Sequence, residues 1–177
     1  MAINPSLLHS QKKSRAIIKT IFVDASIASH PVTKRICHRF NLPTEYIDDP
    51  SAVYRRINQA ADPVSTGKQT LYLTRNKGGF LKKCPGTKEY ICCDYEILHF
   101  ASFCTMDCSY CILQTYFHPP VLQFFVNRED LHAELDDCFQ RSRITRIGTG
   151  EFTDSLIWEP WTDLTEDLVT RFGSQKQ

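Results

Sequence analysis

The sequence predicts an α/β fold, and three features near the start of the chain indicate it. Residues 20–24 are rich in β-branched and aromatic side chains, which is typical of a strand. A helix is expected over residues 31–40, because Pro31 suits the first helical turn and apolar side chains recur on one side of the segment. A second short strand is expected at residues 46–47. This strand–helix–strand order predicts a small N-terminal α/β unit over residues 18–68.

The later part of the chain also contains segments with the apolar patterns of strands and of helices. Residues 48–68 mix Asp, Pro, Ser and Gly around a short helical piece and are interpreted as a linker or an exposed edge. Alternating apolar residues predict a strand at 70–74, and the spacing of leucines predicts a helix over 128–139. Strands are expected at residues 95–100 and 144–148, a strand or packed loop at 121–126, and a helix at residues 164–172.

The overall composition is that of a folded protein. The chain has 177 residues, of which 42% are hydrophobic and 23% charged, which indicates a globular chain with room for about one domain. No apolar run approaches the ~20 residues that cross a membrane, and residues 1–17 are polar, with no signal-peptide core. We therefore expect a flexible tail over residues 1–17 and a cytoplasmic location. The net charge of +1 gives no overall attraction for nucleic acid, so any DNA contact must come from a local patch.

The cysteines carry the strongest functional signal. The chain has eight, and without an export signal, clustered cysteines indicate metal binding or catalysis rather than disulfides. Cys104, Cys108 and Cys111 follow a C-x3-C-x2-C spacing, with Tyr110 just before the last thiol. Cysteine thiolates hold iron–sulfur clusters, and three ligands on a [4Fe–4S] cube leave one iron open to a small molecule. The spacing differs from the paired C-x2-C knuckles of a zinc ribbon and predicts a reactive cluster.

The other cysteines are harder to place. Cys84, Cys92 and Cys93 precede the loop and are expected either to form a second metal site or to shape the entrance to the first. Neither Cys84 nor the adjacent pair Cys92 and Cys93 has the spacing of ordinary zinc ligands, so a role in structural packing is favoured. Cys37 and Cys138 fall within predicted helices and are interpreted as buried structural thiols.

A basic stretch over residues 75–83 is the best candidate for a nucleic-acid contact. It contains four cationic side chains, two glycines and one aromatic residue. In a DNA-binding role, the ring would stack on a base while the cations meet phosphate. A solvated hairpin turn with one apolar anchor is an equally good interpretation. The proposed contact residues are Arg75, Lys77, Phe80, Lys82 and Lys83.

The cysteine loop and its surroundings resemble a known family. The pattern C-x3-C-x-aromatic-C at residues 104–111 resembles the signature of the radical SAM enzymes. The flanking residues 90–93 (Tyr-Ile-Cys-Cys) and 112–117 (Ile-Leu-Gln-Thr-Tyr-Phe) are similar to one branch, the spore photoproduct lyase family. The resemblance runs from about Lys19 to the C-terminus, and its most specific part is residues 84–117.

The resemblance implies a partial (β/α)6 radical SAM barrel, truncated here. Residues 69–177 would form the first βα units, so the chain would be the N-terminal half of such a protein. The strand at 95–100 would run straight into Cys104, at the barrel mouth where ligands of parallel sheets collect. Cys104, Cys108 and Cys111 would bind a [4Fe–4S] cluster, and S-adenosyl-L-methionine (SAM) would coordinate the open iron.

A second motif is implied by the same resemblance. The turn Gly148-Thr149-Gly150-Glu151 is similar to the Gly-Gly-Glu turn that meets the methionine amino group of SAM in radical SAM enzymes. Gly148, Gly150 and Glu151 are therefore expected to bind SAM, with Tyr110 covering the cluster or the adenine side. The alternative is a structural turn with a solvated glutamate.

One position departs from the family pattern. Spore photoproduct lyases carry a hydrogen-donating cysteine shortly after this turn, and Phe152 stands at the corresponding place. Phenylalanine has no labile hydrogen atom, so either another residue is the donor or the substrate differs. The resemblance implies repair of a methylene-bridged thymine dimer in DNA. It also implies an electron donor such as flavodoxin or ferredoxin.

Two other classes of function stay open at this point. The chain is compatible with a non-catalytic iron–sulfur or zinc-binding module that joins the three loop thiols with His118, His99 or Cys84. It is also compatible with an inactive truncated fragment, because half a barrel exposes an unpaired strand edge.

Overall fold

The computed structural model describes residues 18–91 and 94–175. The tail predicted at 1–17, together with Cys92 and Cys93, lies outside the described residues. The strands are β1 (Thr20–Asp24), β2 (Thr44–Ile47), β3 (Thr70–Thr74), β4 (Leu81–Lys83), β5 (Tyr95–Leu98), β6 (Ala101–Ser102), β7 (Leu122–Phe125) and β8 (Arg146–Gly148). The α-helices are α1 (Pro31–Phe40), α2 (Ser51–Asn58), α3 (Pro63–Lys68), α4 (Leu113–Tyr116), α5 (Arg128–Phe139), α6 (Glu159–Thr162) and α7 (Leu164–Gly173).

The larger sheet has the strand order β2-β1-β3-β7-β6. β1 pairs in parallel with β2 and β3, and β3 pairs in parallel with β7. The short β6 runs antiparallel to β7 at the edge. The strand–helix–strand prediction for the N-terminal unit and the strand predicted at 70–74 are both confirmed. The sheet continues across the division expected between residues 68 and 69, because β3 and β7 extend the sheet that β1 begins.

Both faces of this sheet are covered. On one face, Phe22 and Tyr72 pack against Val53 and Ile57 of α2, all of which are buried. On the other face, the neighbouring residues of the same strands join the main core, together with side chains of α1, α5, α6 and α7. A fully buried parallel strand needs apolar side chains on both sides, and β3 is buried at all five of its residues.

Local sequence signals account for where the main helices begin and end. The imidazole Nδ1 of His30 accepts a hydrogen bond of 3.2 Å from the backbone of Val32, with Pro31 in the first turn of α1. The helix ends at Asn41, whose φ of 51° places it in the left-handed region. In α5, Cys138 is buried among the core residues, as the sequence predicts. None of the helices in the described part of the chain is long and apolar enough to cross a membrane.

A smaller sheet has the strand order β4-β5-β8. β5 runs parallel to β8 and antiparallel to β4. The single strand expected at residues 95–100 is interrupted. β5 ends at Leu98, the backbone of His99 donates to the Phe80 carbonyl at 2.8 Å, and the chain resumes as β6 in the larger sheet. This segment therefore joins the two sheets just before the cysteine loop.

The basic stretch at 75–83 is mostly occupied by contacts within the chain. Phe80 is only 1% exposed and packs edge-on against Phe125, at 6.3 Å between ring centroids. The prediction that Phe80 stacks on a nucleic-acid base is therefore wrong, because its ring is part of the core. Both Glu134 carboxylate oxygens accept the Phe80 backbone N–H, at 2.8 and 2.9 Å. Arg75 pairs with Asp130 at 2.7 Å, whereas Lys77 is exposed.

Candidate functional site

The cysteine loop leaves the end of β6 through a turn at Phe103. Phe103 is buried and has a φ of +66°, a conformation that is uncommon for a residue other than glycine. Its backbone N–H donates to the carbonyl of Phe152 at 2.9 Å. This hydrogen bond joins the start of the cysteine loop to the segment that follows β8, although the two are about fifty residues apart in sequence.

The first thiol lies at this junction. Cys104 is 8% exposed, and its sulfur accepts a hydrogen bond of 3.4 Å from the backbone N–H of Met106. Burial raises the pKa of Cys104, and the nearby charges of Asp154 and Cys111 raise it further. The backbone of Asp154 also contributes a hydrogen bond that favours the thiolate. The electrostatic environment of Cys104 thus includes the third thiol of the loop and Asp154 of the segment after β8.

The other two thiols are half-buried and closer to the surface. The backbone N–H of Cys111 donates to the carbonyl of Cys108 at 3.0 Å, which closes a tight turn between them. Tyr110 is 90% exposed, and a hydrogen bond to Cys108, together with the charge of that thiol, raises the pKa of the phenol. The aromatic residue of the motif therefore lies beside two loop thiols, on the solvent side.

The donor set indicates which kind of metal centre the loop suits. Among residues 18–91 and 94–175, no three side chains of His, Cys, Asp or Glu are arranged so that they could hold a single metal ion. A zinc site needs four ligands around one ion. A [4Fe–4S] cluster takes each thiolate on a separate iron, so its thiols need not meet at one point. Three soft thiols on one short loop fit a cluster in this respect.

In the described part of the chain, neither the histidines expected for a zinc module nor Cys84 forms a three-ligand group with the loop thiols. His118 is exposed, and Cys84 is half-buried at the end of β4, with its backbone N–H bonded to Tyr95 at 2.9 Å. Both ring nitrogens of His99 have other partners. Its Nδ1 accepts from the Lys82 ammonium at 2.8 Å, and its Nε2 therefore carries the proton and donates to the Ser102 hydroxyl at 2.9 Å.

His99 is held neutral by its surroundings. Burial lowers its pKa from 6.5 to about 4, and the charge of Lys82 adds to this effect. The imidazole also packs against Phe152, at 4.3 Å between ring centroids, and edge-on against Phe125 at 5.2 Å. The Lys82 ammonium lies over the Phe152 ring, 5.6 Å from its centroid. Phe152, at the place where the resemblance expects a cysteine, is thus a packing partner of a neutral histidine and a lysine.

The glycine turn follows β8 directly. A Cβ on Gly148 would lie 1.5 Å from the Tyr95 hydroxyl, so the glycine makes room for a side chain of the neighbouring strand. Around Gly150 there is more space, because a Cβ there would lie 3.8 Å from its nearest neighbour, the Thr153 carbonyl oxygen. Glu151 is exposed. The structure brings this turn next to the cysteine loop through Phe152, while the SAM-binding role of the turn stays a prediction.

The structure adds a residue that the sequence reasoning missed. Lys68, at the end of α3, is 6% exposed, and its ammonium donates to the Met106 carbonyl at 2.7 Å and to the Asp107 carboxylate. Both acceptors lie inside the cysteine loop. Composition predicts a linker around Lys68, because Pro, Ser and Gly are frequent there. The sequence nonetheless contains a signal for a helix start, since Asp62 directly precedes a proline. In the structure, the Asp62 carboxylate accepts a hydrogen bond of 3.0 Å from the backbone N–H of Ser65.

Comparisons with known proteins bear on the fold. A scan against protein-family models finds no match, and a search of curated proteins finds none either. Among solved structures, a spore photoproduct lyase, in a cysteine-to-alanine mutant form, is similar, with a TM-score of 0.66 and 18% sequence identity. The match covers 90% of this chain and 47% of that chain, so this chain spans about half the length of the solved structure. The likeness confirms the predicted α/β fold class and agrees with the resemblance in the loop sequence.

Proposed function

We propose that this chain is the cluster-bearing part of a radical SAM enzyme of the spore photoproduct lyase type. The observation that carries the proposal is the junction of the two motifs. The hydrogen bond from Phe103 to Phe152, and the interaction of Cys104 with Asp154, bring the thiol loop against the segment that follows the glycine turn. Those are the two segments that a cluster and its SAM ligand would share. The similar fold of a spore photoproduct lyase supports the same conclusion.

In this proposal, Cys104, Cys108 and Cys111 hold three irons of a [4Fe–4S] cluster. When bound, the cluster and SAM would supply an electron and a 5′-deoxyadenosyl radical, which is the reactive species of radical SAM chemistry. The chain's own residues would bind the cluster and SAM and enclose them. Cys104 is buried where water is largely excluded, and Tyr110, which lies beside Cys108 at the surface, would cover the outer side of the bound group.

The proposed SAM contacts are Gly148, Gly150 and Glu151. Gly150 has the space for a close ligand approach, and the exposed Glu151 carboxylate is accessible to an ammonium group. Gly148 has a second reason to be glycine, which is the packing of Tyr95. Phe152 has no labile hydrogen, so the hydrogen donor of the reaction would come from another group.

The proposed substrate is thymine-dimer DNA, the spore photoproduct, because this is the substrate that the family resemblance implies. A damaged base of this kind is also among the least costly to turn out of a duplex. A flat, apolar surface suits a nucleobase. In and directly after the loop, Tyr110 and Tyr116 are 90% and 64% exposed, and such rings stack on bases. In the basic stretch, Lys77 and Lys83 are exposed and available for phosphate. An electron donor such as flavodoxin or ferredoxin, in the cytoplasm, completes the proposal.

The test is metal content after anaerobic reconstitution with iron and sulfide. We expect about four iron and four sulfide per chain, and an EPR spectrum that SAM perturbs. Replacing Cys104, Cys108 or Cys111 by alanine should abolish the cluster. The matched control is Cys37→Ala, since Cys37 is a half-buried thiol on α1 outside the loop.

Two other results of the metal analysis would favour a different function. Stoichiometric zinc without sulfide would assign the chain to the non-catalytic binding modules. A chain that folds but holds no metal under these conditions would contradict the proposal and favour an inactive fragment. If the cluster forms, lesion-containing DNA is the next assay, with undamaged DNA of the same sequence as the control.

A further inference from the structure

The end of α3 contacts the cysteine loop through a buried cation. Lys68 is 6% exposed, and its ammonium donates to the Met106 carbonyl at 2.7 Å and to the carboxylate of Asp107. These two acceptors are consecutive residues between the first and second thiols, 38 and 39 positions away in sequence. These hydrogen bonds therefore form a long-range contact between the N-terminal unit and the cysteine loop.

The pair is asymmetric in a way that constrains the loop. The side chain of Lys68 is 8% exposed, whereas that of Asp107 is 83% exposed. A buried ammonium without partners is costly, so Lys68 is compatible with its position only while the loop supplies the carbonyl and the carboxylate. If the loop moved away, Asp107 would be solvated easily, but Lys68 would lose both acceptors. The stability of the helix end is thereby coupled to the position of the loop.

The same helix end meets the chain again after the thiols. Gly67 is buried, and a Cβ at this position would lie 1.6 Å from the carbonyl oxygen of Pro120. Neighbouring residues of α3 thus contact the chain on both sides of Cys108 and Cys111. The segment between these contacts is the part of the loop that must hold its shape when the thiols bind metal.

We propose that Lys68 is a positioning residue for the thiol loop. Its ammonium fixes residues 106 and 107, so that Cys104 stays buried and the three thiols are presented together. The inference rests on the proposed function for its role in cluster loading. The anchoring itself is a property of the chain without metal and is tested without it.

The experiment measures the rate at which N-ethylmaleimide labels each cysteine of the metal-free, full-length chain, resolved by mass spectrometry. In Lys68→Met we expect Cys104 to react roughly 10- to 100-fold faster, the range that corresponds to losing a hydrogen bond to a charged group. Cys37, on α1, should keep its rate and serves as the internal reference for folding. Lys34→Met, at an exposed lysine of α1, is the matched control and should leave every rate unchanged.

A second variant and a second readout keep the result interpretable. Asp107→Ala removes only the exposed partner, so it should accelerate labelling of Cys104 by several-fold without unfolding the chain. If Lys68→Met also accelerates the labelling of Cys37, that variant is unfolded. The labelling rate of Cys104 in Asp107→Ala then decides whether the anchoring role holds. Iron and sulfide content after reconstitution should fall in Lys68→Met and be restored in part by Lys68→Arg, which retains a cationic donor.

The outcomes separate this inference from the proposed function. Unchanged Cys104 labelling in both Lys68→Met and Asp107→Ala would overturn the anchoring role. A wild-type chain that binds no iron would overturn the proposed function, while the labelling result would still report on Lys68.

Discussion

Lowering the pH is expected to destabilise the chain through His99. Its folded-state pKa is lowered from 6.5 to about 4, so the unfolded chain binds more protons than the folded one between these values. Stability from the neutral imidazole is therefore complete above about pH 6.5 and is lost as the pH falls toward 4. Protonation would remove the acceptor that the Lys82 ammonium uses and place two positive charges together.

The size of the effect follows from the same values. A pKa shift of this extent contributes at most about 3.4 kcal/mol to the free energy of unfolding, at a pH well above 6.5. About 2 kcal/mol of this contribution would be lost by pH 5. His99 is only half-buried, and solvent screening reduces such figures by about half. We therefore expect that roughly 1 kcal/mol of the free energy of unfolding is lost through His99 between about pH 7.5 and pH 5.

Urea unfolding followed by tryptophan fluorescence gives this quantity, since Trp158 and Trp161 are both buried. The variant His99→Phe retains an aromatic ring against Phe152 and cannot titrate. It should show a shallower loss of stability with falling pH than the wild type, whatever its absolute stability. His38→Gln, at an exposed histidine of α1, is the control. Equal slopes for His99→Phe and wild type, or an NMR titration of His99 centred near pH 6.5, would refute the reasoning.

Two glycines offer further tests, both by denaturant midpoint. Gly67→Ala should cost about 1–3 kcal/mol, because the new methyl group meets the backbone of Pro120, whereas Gly173→Ala, in open space on α7, should be neutral or slightly stabilising. Equal midpoints for the two variants would contradict the packing described at the end of α3. Gly148→Ala should destabilise by a similar amount, and Tyr95→Ala should relieve most of that cost, since the tyrosine side chain is what the methyl group would meet. Additive effects of these two changes would show that the glycine serves another purpose.

Much of the secondary structure follows from local signals. The strand at residues 20–24, the strand at 70–74 and the helix at 128–139 have the predicted bounds. In each case, the alternation or helical spacing of apolar side chains is a property of consecutive residues. The helix at 31–40 is similarly specified, because its first turn and its end have residue types suited to those positions.

The candidate site was predictable only where its residues are adjacent in sequence. The spacing of Cys104, Cys108 and Cys111 predicts a cluster loop without knowledge of the fold. Phe80 shows the limit of such reasoning: a ring between glycines and lysines is compatible with a nucleic-acid contact, yet it is 1% exposed. Burial depends on which segments cover a residue, and here Phe125, 45 positions later, covers it.

By itself, the sequence determined the α/β class and the position of the glycine turn, and it predicts metal-binding chemistry for the cysteine loop. The tertiary structure alone decided that β7 extends the sheet begun by β1, that Phe152 meets Phe103, and that Lys68 reaches the loop. The physical reason is that strand pairing and the burial of a charge depend on partners far apart in the chain. A lysine in a polar segment has no local feature that distinguishes a solvated side chain from a buried anchor.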